Sequence, residues 1–218
     1  MPVQSVPSGQ SSSDERDRIV EAAFKCLAEP HKGPVHVSAI LARAEVSSRA
    51  FYRHFESKDD LFLAMLWQVT ERLATELDEI AAPDAPGDPT PLGRLRAWLD
   101  RMFTLASDTD LHRYLAVVDC DEMRSAKGYR DAREQSRARR ESSLVDILAM
   151  GQRDGSFSLT EPESDSIAIA ALVSRELTSA RIYDPAQIPV ARARVERFAL
   201  RALGVVAATT EGSDTTAQ

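Results

Sequence analysis

Apolar residues recur at every third or fourth position along most of this chain, and the apolar–polar alternation of half-buried strands is absent. That period commits the chain to helices with one buried stripe each, so the expected fold class is all-α. The clearest stripes are Ile19, Val20, Ala23, Phe24 and Leu27; then Leu61, Phe62, Met65, Leu66, Val69, Leu73 and Leu77; then Leu92, Leu95, Leu99, Met102, Phe103 and Ala106.

Breakers and caps divide the pattern. A first helix is expected over about Asp14–Glu29, opened by a Ser12/Glu15 capping box and stopped by Pro30, Gly33 and Pro34. A short helix over Ser38–Ala44 follows, with Ile40, Leu41 and Ala44 inward. After a tight break at Glu45-Val46-Ser47 comes a second short helix to about Phe55, then a long one capped by Ser57. The segment "APDAPGDPTP" (82–91) is linker-like, and Thr90 with Pro91 opens the next helix, to about Ser107. Further helices are expected near 110–125, 127–153, 163–183 and 190–206. This divides the chain into a disordered leader (1–13), a three-helix head (14–60), a larger helical body (61–207) and a disordered tail (208–218).

The run "SSRAFYRHFESKDD" (47–60) concentrates chemistry. With Ser48 at zero and about 100° per residue, Phe51 and Phe55 share one face and must be the buried side. Arg49, Ala50 and Arg53 then point into solvent, with Tyr52 and His54 on the flanks. An exposed helix carrying arginines suits the DNA major groove, where guanidinium groups read guanine edges. Tyr52 and His54 could bond phosphates, and Lys58, in the first turn of the following helix, could grip another. From His31 to Lys58 there are five basic and two acidic residues, a net +3 within a chain of −7. Any polyanion must therefore be met by a local patch. The ordinary alternative is that two arginines on a helix face are merely solvated.

The order of elements adds to this. The segment "AEVSSRAFYRHFESKDDL" (44–61), preceded by an N-terminal helix, resembles the DNA-binding domain of the tetracycline-repressor (TetR) family of bacterial regulators. The resemblance covers Asp14–Leu61, and "LAMGQRDGSF" before a long apolar helix resembles the approach to that family's dimer helices. It implies a homodimeric repressor that binds double-stranded DNA at a palindromic operator and is released by a small molecule. Carried over by position, Ser48, Arg49 and Ala50 match the base-facing start of the recognition helix. Tyr52, His54 and Lys58 match phosphate contacts, and Ser38 matches a position reaching bases or backbone. Ser47 and Arg53, in the same run, are counted with them as DNA-binding candidates. The chain departs from the pattern at three places: Glu45 stands for a turn glycine, His36 for a capping threonine, and Leu41 for an alanine. Glu45 would then occupy a left-handed turn, costing about 1 kcal/mol, with its carboxylate expected to turn toward Arg43 or Arg49.

Elsewhere, Trp98, Met102, Phe103, Leu115, Val118, Met123 and Leu148 are candidates to line a pocket for an apolar effector, although ordinary core is the blander assignment for each. The alanine-rich "SDSIAIAALVSRELTSA", with Val195, Phe198 and Leu203, could form a four-helix dimer interface from the last two helices. His112, Asp119, Cys120, Asp121 and Glu122 lack clean metal-ligand spacing, so solvated acids are expected and no metal. In "REQSRARRESS", Arg130 with Glu134 and Arg137 with Glu141 suggest a charged outer helix face. No H-E-x-x-H, G-x-S-x-G or phosphate-binding glycine loop occurs, so neither enzymatic activity nor a cofactor is expected. Cys26 and Cys120 read as free thiols, no signal peptide is apparent, and no apolar run approaches the roughly 20 residues of a membrane span, which together suggest a cytoplasmic protein. The rival class is a helical small-molecule-binding protein or enzyme on the same scaffold, without operator binding.

Overall fold

The computed structural model describes residues 8–104, 109–179 and 184–205, and within them all regular structure is helical. In chain order the helices are α1 (Ser8–Ala28), α2 (Val37–Ala44), α3 (Ser48–His54), α4 (Lys58–Ala81), α5 (Pro91–Thr104), α6 (Thr109–Val118), α7 (Asp121–Arg124), α8 (Tyr129–Asp154), α9 (Pro162–Leu177) and α10 (Ile188–Ala202). The chain forms two compact units, one of residues 1–79 and 104–140, the other of 80–103 and 141–218.

In the first unit, α1 packs on α2, α3 and α6. Ile19, Val20, Ile40, Phe51, Leu61, Met65 and Leu66 are buried in one cluster. The expected stripes are thus inward. Val118 and Met123 enter the same cluster with no exposed surface, so both serve as core of this unit. Two boundaries differ from expectation. Helix α1 starts at Ser8, so Ser12 and Glu15 stand inside the helix and not at its N-terminus. The segment expected as one helix near 110–125 breaks into α6 and α7 around Asp119 and Cys120. There the Tyr129 hydroxyl donates to the Val118 carbonyl and the Asp119 carboxylate, both at 2.9 Å, and Arg133 reaches Asp119 at 3.0 Å. Burial, then the bond to Asp119, pushes the Tyr129 hydroxyl above its ordinary pKa. Asp119 is therefore a bonded group and not a solvated acid.

The second unit is built around Trp98, Leu95, Leu99 and Phe103 of α5, with Leu144, Ile147, Leu148, Phe157, Ile169, Val173 and Val195 also buried. The Trp98 indole N–H donates to the Ser143 hydroxyl at 3.0 Å, which satisfies a buried donor. The 82–90 segment is not a loose linker. The Arg94 side chain is 2% exposed and donates to the carbonyls of Ala85 (2.8 Å) and Pro86 (3.2 Å). Asp88 accepts from the backbone N–H and hydroxyl of Thr90, which in turn caps α5 through the Gly93 N–H at 3.0 Å. Those bonds hold the Asp88 carboxyl below the usual carboxylate range.

Helix α8 ends at Gly155, whose φ of 80° favours glycine, and the Phe157 N–H closes on the Gly151 carbonyl at 3.0 Å. The Phe157 ring lies so close to α8 that a Cβ on Gly151 would stand 2.2 Å from its Cδ2. Helix propensity favours Gly151→Ala by roughly 1 kcal/mol. Displacing a ring that is 1% exposed opposes this, at about 1–3 kcal/mol. The net expectation is a loss of about 0–2 kcal/mol in urea unfolding followed by circular dichroism; a midpoint above the parent's would contradict this packing.

Candidate nucleic-acid interface

Seven residues make α3 too short to hold itself together, so its position depends on a cap and on what it buries. Ser47 is the cap: extended, with its hydroxyl accepting the Ala50 N–H at 3.1 Å. Phe51 and Phe55 are 0% and 2% exposed and fix the inward face. Ser48, Arg49, Tyr52 and Arg53 are exposed, as is Ser38 on α2. Tyr52 is 67% exposed and braces edge-on against Phe51, with ring centroids 5.2 Å apart. Ala50 differs from expectation. It is buried, because its Cβ falls beside the core-facing Phe51 and not on the outer face, so it can limit helix approach but offers no solvent-facing contact.

The turn between α2 and α3 carries the expected left-handed residue, Glu45, at φ 55° and ψ 44°. Its N–H bonds the Leu41 carbonyl. The carboxylate forms no ion pair with Arg43 or Arg49 among the described residues, since Arg43 turns to Glu29 at 2.8 Å. That bond holds the Glu29 carboxyl low and raises the Arg43 guanidinium. His36 caps α2 by backbone geometry alone, with no side-chain bond. Leu41 is buried at the α2 surface that faces the head core.

The C-terminal end of α3 is more constrained than the helical wheel suggests. Glu15 of α1 accepts from the Arg53 guanidinium and lies 2.9 Å from the His54 ring at Nε2. The His54 side chain is only 9% exposed, so it is tied inward and does not flank an open face. Bonds to His54 first, then Arg53, hold the Glu15 carboxyl below the usual range. Lys58 opens α4, where Ser57 caps through the Asp60 N–H at 3.1 Å. Its ammonium meets the Glu122 carboxylate at 2.5 Å and lies 5.1 Å from the centre of the Phe62 ring. Glu122 is thus a bonded carboxylate and not a solvated acid; its side chain is 16% exposed.

The basic excess of the head is therefore largely neutralised by carboxylates outside residues 31–58: Glu15, Glu29 and Glu122. These three were not predicted as part of the interface. Glu15 lies on the neighbouring helix and Glu29 just past its end, but nothing in local spacing marks Glu122, 64 residues from Lys58. Arg49 and Lys32 have no such partner among the described residues, and Arg49 projects from the first turn of α3.

The pocket residues divide between the units. Trp98, Met102, Phe103 and Leu148 are buried in the second, while Leu115, Val118 and Met123 belong to the first. No group of His, Cys, Asp and Glu side chains able to hold a metal is present among the described residues, and none of their helices is long and apolar enough to cross a membrane. His112 and the His112 side of the acidic segment lie outside the described side chains. In "REQSRARRESS", Arg137 pairs backward with Glu134 at 2.9 Å, and Arg139 reaches Asp78.

Residues 19–65 match the family described as bacterial regulatory proteins, tetR family. Among solved structures, GusR of Salmonella enterica is 17% identical, covering 92% of this chain and 100% of its own, with a TM-score of 0.71. A TetR transcription regulator of Haloarcula marismortui is 21% identical over 86% of this chain and 97% of its own, TM-score 0.69. The transcriptional regulator FadR of Bacillus subtilis, in complex with stearoyl-CoA, is 20% identical over 85% and 98%, TM-score 0.66. Among curated proteins, no relative matches the chain by sequence. The cap, aromatic anchor and exposed arginine lie inside the matched segment, and the structural likeness extends through the helices beyond it: residues 19–65 match the tetR family of bacterial regulatory proteins, on a chain with the fold of TetR-type transcriptional regulators.

Proposed function

We propose that this protein is a ligand-responsive repressor that binds a palindromic operator as a homodimer. The observation that carries the reading is Arg49: a guanidinium without a carboxylate partner among the described residues, on the outer face of a helix pinned from behind by Phe51 and Phe55. A bidentate donor in that position fits a guanine edge in the major groove. Ser38, Ser47, Ser48 and Tyr52 surround it with hydroxyl donors suited to phosphates or bases. Arg53, His54 and Lys58 remain proposed contacts, each first exchanging or sharing its present carboxylate.

The second copy is proposed to dock on α9 and α10. Ile167, Val190 and Phe198 are 57%, 51% and 50% exposed there, an apolar surface larger than isolated side chains need. Val195 and Leu203, expected at that interface, are instead buried within the chain, which leaves Phe198 as the outward aromatic. The effector is proposed to be a small apolar molecule, taken by Trp98, Met102, Phe103 and Leu148 of the second unit, since Leu115, Val118 and Met123 are committed to the core of the first. Support comes from the stearoyl-CoA bound by Bacillus subtilis FadR and from the apolar character of these side chains. Release requires the effector to favour a conformation whose two recognition helices no longer match successive grooves, about 34 Å apart. The protein acts on DNA in the cytoplasm and is a regulator, not an enzyme, in keeping with the regulators whose fold it shares.

Selection of binding sites from random DNA is expected to return an inverted repeat. Arg49→Ala should weaken binding to that site by roughly 10- to 100-fold and relax base preference at one position of each half-site; unchanged affinity and preference in a gel-shift titration would sink the assignment. Tyr52→Phe removes only a hydroxyl and should weaken all sequences alike, by a few-fold. Phe198→Glu should shift the protein from dimer to monomer in sedimentation velocity and cost operator affinity with it.

A further inference from the structure

Glu122 is placed unusually for a residue of a four-residue helix outside the tetR-matched segment. Its Oε1 and Oε2 lie 2.9 and 3.1 Å from the Val35 backbone nitrogen, which donates to the carboxylate just ahead of α2. The same Oε1 accepts from the Lys58 ammonium at the start of α4. His31 stands close by, with Nε2 3.6 Å from Oε2. One carboxylate therefore ties the approaches to both helices that bracket the recognition helix, and Glu122, Lys58 and His31 line a cavity of about 570 Å³ with Asp59, Asp121 and Ser125.

A DNA phosphate would need the same donors. The N-terminal approach to the first helix of a helix-turn-helix unit and the first turn after the recognition helix are places where backbone N–H groups and a lysine can take a phosphate. Val35 has one N–H, and it is committed to Glu122. Lys58 has three, but an ammonium paired with a carboxylate presents a dipole, not a charge, to a phosphate beyond it. The acids Asp59 and Asp121 on the same cavity add to the repulsion.

We propose that Glu122 is an affinity-determining residue of operator binding: it stands in for a DNA phosphate on Val35 and Lys58, and DNA must displace it. The proposal rests on the operator-binding reading and adds a route of control. Glu122 belongs to α7, not to the three-helix head, so operator affinity depends on where α7 stands. Movement of α7 away from Lys58 frees both donors together, and movement toward it takes both away.

The test is a double-mutant cycle on the full-length protein with its selected operator. Glu122→Gln keeps an amide oxygen for the Val35 N–H and removes the charge. It is expected to tighten operator binding by about three- to tenfold at low salt, in line with a partly exposed ion pair. In a Lys58→Met background the same change should have no effect, because the freed donor is gone. Glu122→Asp, too short to reach Lys58, should also tighten binding, and it decides the matter if the glutamine variant melts early in circular dichroism. Folded variants that bind no more tightly than the parent overturn the proposal and leave operator binding intact. A gain that survives loss of Lys58 also overturns it. Failure of parent and variants alike to select or bind any DNA overturns the operator reading itself.

Discussion

The burial of Phe51 and Phe55 is the constraint on which the interface depends. A seven-residue helix has no stability of its own, and a single serine cap supplies about 1 kcal/mol. Two fully buried aromatic side chains supply about 2–3 kcal/mol each and set the rotation of α3 about its axis. With the back face fixed, 100° per residue turns Arg49 and Arg53 outward, whereas the exposure of Tyr52 and the burial of Ala50 are set by the packing around the helix. The left-handed Glu45 permits the tight turn that aims α3 in the first place.

Charge is arranged more selectively than the basic count implies. An acidic chain cannot be attracted to DNA as a whole, so contrast must be created locally. Here the contrast comes from pairing. Glu15, Glu29 and Glu122 neutralise Arg53, Arg43 and Lys58, while Arg49, in the first turn of α3, has no carboxylate partner among the described residues. A paired cation contributes little long-range field, whereas an unpaired one at a helix surface steers and reads.

The second unit follows a different economy. Its interior is aliphatic and aromatic, and its charged residues form ties between helices: Arg192 with Asp100 and Glu196, Arg96 with Glu196, and Arg194 with Glu176. These ties hold α10 against α5 and α9 at the surface, where each contributes modestly. Ile167, Val190 and Phe198 are left outside that arrangement.

Local pattern was enough to identify most helices, the inward stripes, the caps at Ser57 and Thr90, and the outward position of Arg49, because each is a property of residues within one or two turns. The left-handed turn at Glu45 was legible only through the family resemblance, where glycine is usual. The sequence could not say that α1 continues back to Ser8, that the chain breaks between α6 and α7, or that Arg94 staples the 82–90 segment. Above all, it could not assign ionic partners. A carboxylate chooses among several nearby cations by distance and desolvation, and those are set only when segments far apart in sequence are packed together. Glu15 with His54 and Glu122 with Lys58 are such choices, made by tertiary structure. Local order thus determined which face of the chain is offered to a partner, and packing decided which of its charges are free to meet one.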